Sequence, residues 1–416
     1  MKLVHTSDWH LGHTLHGIGR EREHEAFLDW LLDRLEEEQA DALVVAGDVF
    51  ETANPSTDAV RRFFTFLAKL RRRLPELDAV VVGGNHDSAG RLDAWAVPLE
   101  ALGVRVVGGL FLHGQRDLDL ERLLVPLRGA SGAVEAWLAA VPFLRPSDLP
   151  LRPEAEDWLV EGVIEVYRRV LEEARRRRGA GQALLATGHC YMAGGELSEL
   201  SERKVLRGNQ HALPVDALFP EDLAYVALGH LHRAQTVGGR PEVRYSGSPL
   251  PLSLAEADYP HQIVVVELED GQLRGSPRAL RVPRSVEVLR VPAKGPLPLG
   301  EVLAALRELP EEDPNEPRPY LEVRVALDKP EPTLRQQLEQ ALEGRHARLV
   351  KIGTSFRGDG ATLAERDGPR SATELTPDEV LRRRWESRYE GEPPADVLAA
   401  FHELVEEVQQ EEGKAA

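Results

Sequence analysis

Over the first hundred residues, short apolar runs of strand length alternate with longer stretches that carry the 3.6-residue spacing of a helix. Lys2-Leu3-Val4-His5-Thr6-Ser7 predicts an opening strand. Glu21 to about Glu38 predicts an amphipathic helix with Phe27, Trp30, Leu31 and Leu35 on one face. Ala42 to Ala46 predicts a second strand, and Thr57 to Leu74 a second helix with Phe63, Phe64, Leu67 and Leu70 as its core stripe. Val80-Val81-Val82 reads as a third, buried strand, and Gly83-Gly84 lets the backbone turn sharply just past its end. Leu92 to Leu102 is helical and Val104 to Val107 is a strand. This alternation predicts an α/β sheet, largely parallel at its centre.

From Phe111 to Leu144 the pattern changes to short strands. A long helix from Trp158 to about Arg178 then leads into a strand, Ala183 to Thr187, and a further strand spans Ala224 to Leu228. Arg244 to Ser246 and Ile263 to Leu268 are expected to complete a second sheet, giving sheet on sheet with flanking helices. A Pro-flanked break at Val282-Pro283 opens a different unit, where Val286–Val291, Leu299–Leu309, Tyr320–Leu327, Leu334–Leu342 and Ala347–Ile352 alternate as βαβαβ. The stretch 353–375 is rich in Gly, Asp and Ser and reads as a linker. Two helices close the chain, about Pro377–Tyr389 and Ala395–Gln410. Their apolar stripes have little nearby core to cover them, so a helix-in-groove or coiled-coil partner is expected.

Composition narrows the class without deciding it. In 416 residues, 42% hydrophobic and 29% charged content are those of an ordinary globular protein with room for two or three domains. No apolar run is long enough to span a membrane, and Met1-Lys2-Leu3-Val4-His5 turns polar too soon for a signal peptide. The single cysteine, Cys190, excludes an internal disulfide and a Cys-x-x-Cys knuckle, which fits a reducing cytoplasm. A net charge of −18 excludes coating of nucleic acid by bulk electrostatics, but not local contact through bound cations and small Arg patches.

The candidate chemistry lies at the strand ends. Five segments share one plan, an apolar strand, a small turn, then Asp, Asn or His: Asp8 and His10; Asp48; Asn85 and His86; His189; His230 and His232. Open α/β sheets build their sites at that edge. Singly, each such residue is an ordinary turn or surface residue. Five in order make that reading very improbable together. Carboxylate, amide and imidazole without thiolate suit Mn, Fe or Zn. Two metals about 3.5–4 Å apart need a bridging carboxylate and suit in-line attack on phosphorus. Asp48, alone at its strand end, is the natural bridge.

Other candidates carry blander readings. His5 alternates inside the first strand and is expected in the core, while His13 and His16 are loop residues near the site. Cys190, next to His189, would face the opposite way on extended backbone. His24, His113, His211, His261, His346 and His402 have no supporting context, and Arg71–Arg73 and Arg175–Arg178 read as solvated helix C-terminal caps.

Asp8-Trp9-His10, Gly47-Asp48-Val49-Phe50, Gly84-Asn85-His86-Asp87, Gly188-His189 and Gly229-His230-Leu231-His232 resemble the motifs of the calcineurin-like metallophosphoesterases. More closely, Thr6-Ser7-Asp8-Trp9-His10-Leu11-Gly12, Gly194-Gly195-Glu196, Ser201-Glu202-Arg203 and Tyr245-Ser246-Gly247-Ser248-Pro249 resemble the SbcD family, the nuclease components of bacterial SbcC–SbcD complexes. The resemblance is dense to about residue 270; beyond, it rests on domain order and size.

It implies a β-sandwich nuclease domain flanked by helices (1–282), a βαβαβ DNA-capping domain (283–352), the linker (353–375), and C-terminal helices (376–416) that bind the SbcC coiled coil. It implies two divalent ions, most often Mn²⁺. The first would sit on Asp8, His10, Asp48 and His232, the second on Asp48, Asn85, His189 and His230. His86 would be catalytic, with Asp87 orienting it. The implied activity is a Mn-dependent nuclease acting with the SbcC ATPase in double-strand break repair. It would be a 3′–5′ exonuclease on double-stranded DNA and an endonuclease on single-stranded or hairpin DNA, within a heterotetramer containing two copies of this chain. Two readings compete: a phosphodiesterase for a small nucleotide or another phosphoester, which the two-metal motif fits equally, and a DNA-tethering scaffold with structural metals.

Overall fold

The computed structural model describes residues 1–110, 112–113, 117–149, 157–195 and 212–356, together with Leu381, Trp385 and Phe401. Most of the 353–375 linker, the two C-terminal helices apart from those three residues, His211, His402, Glu196 and Ser201-Glu202-Arg203 lie outside the described residues. Residues Met1–Ala326 and Glu331–Ser355 make one compact unit.

Its centre is a pair of facing sheets. The first contains β1 (Lys2–Thr6), β2 (Ala42–Ala46), β3 (Asp78–Val82) and β4 (Val104–Val107), all parallel, as the strand–helix alternation predicts. The intervening helices are α1 (Glu21–Glu37), α2 (Thr57–Arg73) and α3 (Ala89–Glu100). Ser56 and Ser88 cap α2 and α3, each accepting a backbone N–H with its side chain.

The second sheet has the order β9-β10-β8-β7-β6-β5. These strands are β5 (Leu124–Arg128), β6 (Val134–Ala139), β7 (Ala183–His189), β8 (Tyr225–Gly229), β9 (Gln235–Val237) and β10 (Arg240–Tyr245). Helix α4 (Trp158–Arg177) precedes β7 and contributes Val166, Tyr167, Val170 and Ala174 to the same core.

One expectation is corrected. Residues 263–268 were expected in the second sheet, yet β11 (Gln262–Glu269) pairs antiparallel with β1 in the first. Periodicity shows that Ile263-Val264-Val265-Val266 is a buried strand, but a continuous apolar run matches either sheet equally well.

The parallel strands have two apolar faces because both are covered. Leu3, Val44, Val80 and Val82 join Leu185, Val226 and Leu228 in the core between the sheets. Val4, Val45, Val81 and Val265 face the helices and meet Phe27, Leu31, Phe63, Phe66 and Leu70. The helical stripes therefore differ slightly from expectation. Phe66, absent from the predicted stripe, is buried against Trp9, whereas Trp30 and Phe64 are half-buried. Arg71 is also more than a solvated cap, since it donates to the carbonyls of Pro75, Leu77 and Gly103.

Beyond Val282 a separate sheet has β12 (Val288–Val291), β13 (Leu297–Pro298), β14 (Tyr320–Leu327) and β15 (Arg348–Phe356), with β14 central and parallel to β12 and β13. Helices α5 (Leu299–Arg307) and α6 (Leu334–Ala341) complete the unit. Val286 and Tyr320 pack on Leu15 and Leu254, and the Tyr320 hydroxyl donates to Glu23 Oε2 at 2.6 Å. No helix among the described residues is long and apolar enough to cross a membrane.

His5 lies between the two sheets, fully buried, as the alternation of β1 predicts. Its ring nitrogens meet the Tyr225 hydroxyl at 2.9 Å and the Leu228 carbonyl at 3.2 Å. Burial, aided by the charge of Arg244, pushes its pKa down from 6.5 to about 3. The unfolded chain therefore binds a proton near pH 6.5 that the folded chain refuses, so the stability His5 confers at neutral pH is lost as pH falls from about 6.5 toward 3. His5→Phe should make urea-unfolding stability less steep across that window, by up to about 1.4 kcal/mol per pH unit. At pH 7 it should cost about 1–2 kcal/mol, because it strands the Tyr225 hydroxyl. Unchanged pH dependence in the variant would contradict this role.

Candidate metal centre

Strand ends from both sheets converge on one buried cluster. β1 delivers Asp8 and His10, β2 delivers Asp48, and β3 delivers Asn85 and His86. β7 ends on His189, and His230 and His232 follow β8. Asp8, His10, Asp48, His189, His230 and His232 are all buried. Single ligand atoms from Asp8, His10 and His232 lie within 4.8 Å of one another; so do those of His10, Asp48 and His86, and those of Asp8, Asp48 and His189.

The backbone is bent to make this possible. Asp8 (φ 54°), His10 (φ 47°), Asp48 (φ 49°) and His230 (φ 104°) all adopt left-handed conformations that side chains avoid. Such conformations persist only where surrounding structure enforces them, and they gather at functional sites. Gly47 (φ 90°) precedes Asp48, and a Cβ there would stand 2.1 Å from His189 Nδ1. Gly84 was expected to supply a sharp turn. What requires glycine there is close approach, since a Cβ would lie 2.1 Å from Asp48 Oδ1.

Two groups of donor atoms emerge. Asn85 Oδ1 lies 3.0 Å from both His189 Nε2 and His230 Nδ1, and His189 Nε2 lies 3.3 Å from Asp48 Oδ2. On the other side of Asp48, its Oδ2 is 3.6 Å from His10 Nε2, which is buried without a hydrogen-bond partner. An orphaned buried imidazole nitrogen facing a carboxylate is the mark of a site built for a cation. Asp48 is common to both groups.

The residues behind these donors fix which nitrogen faces inward. His189 Nδ1 donates to the Ala46 carbonyl at 2.9 Å, leaving Nε2 for the centre. His10 Nδ1 meets Glu51 Oε2 at 2.9 Å, and His232 Nδ1 meets Glu256 Oε1 at 3.0 Å. Ser7 Oγ donates to Asp8 Oδ2 at 2.5 Å, and the His230 N–H donates to Asp8 Oδ1 at 3.0 Å. The 245–249 motif braces this shell: Ser246 Oγ is 2.8 Å from Ser7 Oγ, and the Tyr245 hydroxyl donates to the Cys190 carbonyl at 2.6 Å. Glu51 and Glu256 were missed in the sequence, because neither belongs to a strand-end motif. His261, which had no sequence context, holds the Ser248 and Glu256 carbonyls at 2.9 and 3.0 Å.

His86 and Asp87 do not relate as expected. The His86 ring donates from Nδ1 to the Glu51 carbonyl at 2.7 Å. The buried Asp87 carboxylate accepts the backbone N–H groups of Gly84, Val49 and Phe50 at 2.9, 3.1 and 3.0 Å. Asp87 thus ties the β3 loop to the β2 loop, and the ring of His86 is oriented by Glu51. Cys190 belongs to none of the candidate ligand groups, and burial pushes its thiol up to about 12.

The charges explain the protonation pattern. Burial alone would lower His189 and raise Asp48; their mutual attraction overrides both, holding His189 up at about 9 and Asp48 well below the carboxylate range. Burial and the adjoining His189 push His230 down to about 3. The nitrogen and oxygen donors present fit divalent cations of intermediate softness.

Two family models match the chain: calcineurin-like phosphoesterase over residues 1–234, and the type 5 capsule protein repressor C-terminal domain over residues 282–389. Curated relatives named as the D component of the SbcCD nuclease also match. The Rhodobacter capsulatus protein is 44% identical over 92% of this chain and 93% of its own. The Escherichia coli K12 protein is 32% identical over 92% of each. The Bacillus subtilis protein is 36% identical over 65% of this chain and 67% of its own.

Saturating Mn²⁺ should raise the melting temperature of the wild type, equivalent to about 2.7 kcal/mol at a hundred times Kd, and EDTA should reverse it. Asp48→Asn should abolish most of that shift in differential scanning fluorimetry. A full shift in the variant would show that Asp48 is not shared between the two donor groups.

Proposed function

The chain belongs to the calcineurin-like phosphoesterases and, within them, to the SbcD family of nuclease components; from that membership we propose that it is a metal-dependent DNA nuclease partnered by the SbcC ATPase. The observation that carries this reading is the double donor set meeting at Asp48, with the His86 imidazole close beside it.

One cation would sit on Asp8, His10, Asp48 and His232, the other on Asp48, Asn85, His189 and His230, with Mn²⁺ the preferred ion for both. Bound there, the pair would supply a water ionised near neutral pH and offset charge on the phosphate oxygens. His86, with Nδ1 engaged by the Glu51 carbonyl, keeps Nε2 for the substrate, where it stabilises the developing charge or protonates the leaving sugar oxygen. Asp87 supports His86 indirectly by fixing the loop that carries it.

In this reading 1–282 is the nuclease domain, 283–352 caps the DNA, 353–375 is the linker, and the stripes of 376–416 grip the SbcC coiled coil. The substrates are double-stranded ends, cut 3′–5′, and single-stranded or hairpin DNA. Two copies act within a heterotetramer, meeting through helices in 57–102, in the reducing cytoplasm that a single cysteine suits.

End-labelled double-stranded and hairpin DNA, incubated with Mn²⁺ with and without SbcC and ATP, tests the assignment. His86→Ala should keep the Mn²⁺-induced melting shift and lose nearly all turnover, on the order of 10²–10⁴-fold. Undiminished cleavage would remove His86 from the chemistry. Hydrolysis of a small phosphodiester without DNA cleavage would keep the chemistry and discard the substrate. Deleting 375–416 should leave Mn²⁺-dependent cleavage by the isolated chain intact and abolish co-purification with SbcC. Retained complex would place the contact elsewhere.

A further inference from the structure

Beside the metal centre lies a space that the cluster itself does not use. Phe143 follows the second sheet's β6, donates its N–H to the Gly83 carbonyl at 2.8 Å, and meets the His189 ring edge-on at 6.3 Å. It borders an apolar cleft whose walls include Leu144, Val160, Val163, Tyr167 and Tyr191. His189 and His230 line the same cleft, so it shares a wall with the centre. Carbon walls contribute nothing to holding a cation or a phosphate, but they suit the flat face of an aromatic ring.

Arg145 stands over Phe143, its guanidinium carbon 5.5 Å from the ring centroid. One N–H group is spent on the Asp87 carbonyl at 2.9 Å, one residue from His86. Among the described residues this guanidinium meets no carboxylate, although the chain has 69 acidic residues against 51 basic ones. By contrast, Arg20, Arg168, Arg175 and Arg177 are each paired with an acid. A half-buried cation left unneutralised beside a phosphodiester centre, with an aromatic-walled cleft behind it, is complementary to a nucleotide.

We propose that Phe143 and Arg145 form a subsite for the nucleotide adjoining the cleaved linkage, with its unpaired base in the cleft and its phosphate on the Arg145 guanidinium. The inference rests on the nuclease reading above and adds the place where the substrate strand is gripped. A base still stacked and paired in a duplex cannot enter, so the subsite selects frayed ends, hairpin loops and single strands.

The test uses the full chain with Mn²⁺ and a single-stranded oligonucleotide carrying one abasic residue, moved in turn to either side of the cleaved linkage. At one position the abasic substrate should lower wild-type kcat/KM about tenfold, the scale of one lost base–aromatic stack. Phe143→Ala should lower kcat/KM for the intact strand by a similar factor, and the two changes together should cost no more than either alone. Arg145→Gln should reduce the slope of log KM against log salt by about 0.7, one phosphate contact on a single strand. As a binding readout in EDTA, 2-aminopurine at the sensitive position should change emission on the wild type and not on Phe143→Ala. Phe143→Leu serves the same comparisons if the alanine variant does not fold. Losses that multiply to about a hundredfold, or an abasic strand cut as fast as an intact one at every position, would overturn the subsite while leaving the nuclease reading in place. A wild type that cuts no DNA would overturn both.

Discussion

Two carboxylates buried in the same pocket set the terms for everything around them. Asp8 and Asp48 are almost wholly removed from water, and like charges so placed are tolerated only if cations or protons answer them. His189 stands 3.3 Å from Asp48, and the paired charges hold the imidazole's pKa up against its burial. The same imidazole nitrogens are the ones that would hold divalent ions in the proposed centre. The left-handed backbone at four of the donor residues and the glycines at 47 and 84 follow from bringing these groups so close. Strain of that kind costs of order 1–3 kcal/mol per residue and must be offset by the packing of two sheets.

The layer behind the donors turns a cluster into a directed site. Glu51 orients two imidazoles at once, its carboxylate taking His10 and its carbonyl taking His86. Glu256 orients His232 and accepts the Leu252 N–H, and His261 holds the Glu256 carbonyl in turn. Asp87 spends its carboxylate on three backbone N–H groups and so joins two ligand-bearing loops. Each of these contacts chooses a nitrogen or fixes a loop, and none supplies a ligand.

A chain with a net charge of −18 repels DNA at long range, so contact with a phosphate backbone has to be local. In the proposed nuclease, divalent ions held by the centre and the Arg145 guanidinium would supply such contact. The sheet beyond Val282 docks through the Tyr320–Glu23 hydrogen bond and through Arg290, which reaches Asp258 and the Leu254 carbonyl close to Glu256. Its attachment and the outer layer of the metal centre thus share one short segment, 254–258.

The sequence by itself determined most of the elements and the candidate ligands. Valine runs at 42–46 and 80–82, the 3.6-residue stripes of α1 and α2, and polar residues at successive strand ends are short-range patterns, written in the order they are used. They led to the parallel sheet and to seven residues that the structure brings into one pocket. Only the tertiary structure decided what depends on pairing across the chain: that β11 joins the first sheet, that Phe66 and not Phe64 is fully buried, and that Glu51 orients His86 while Asp87 does not. An apolar run is compatible with either sheet, and a glutamate in a loop carries no periodic signal. Which strand and which imidazole each one meets is fixed by packing between distant segments, which local pattern does not encode.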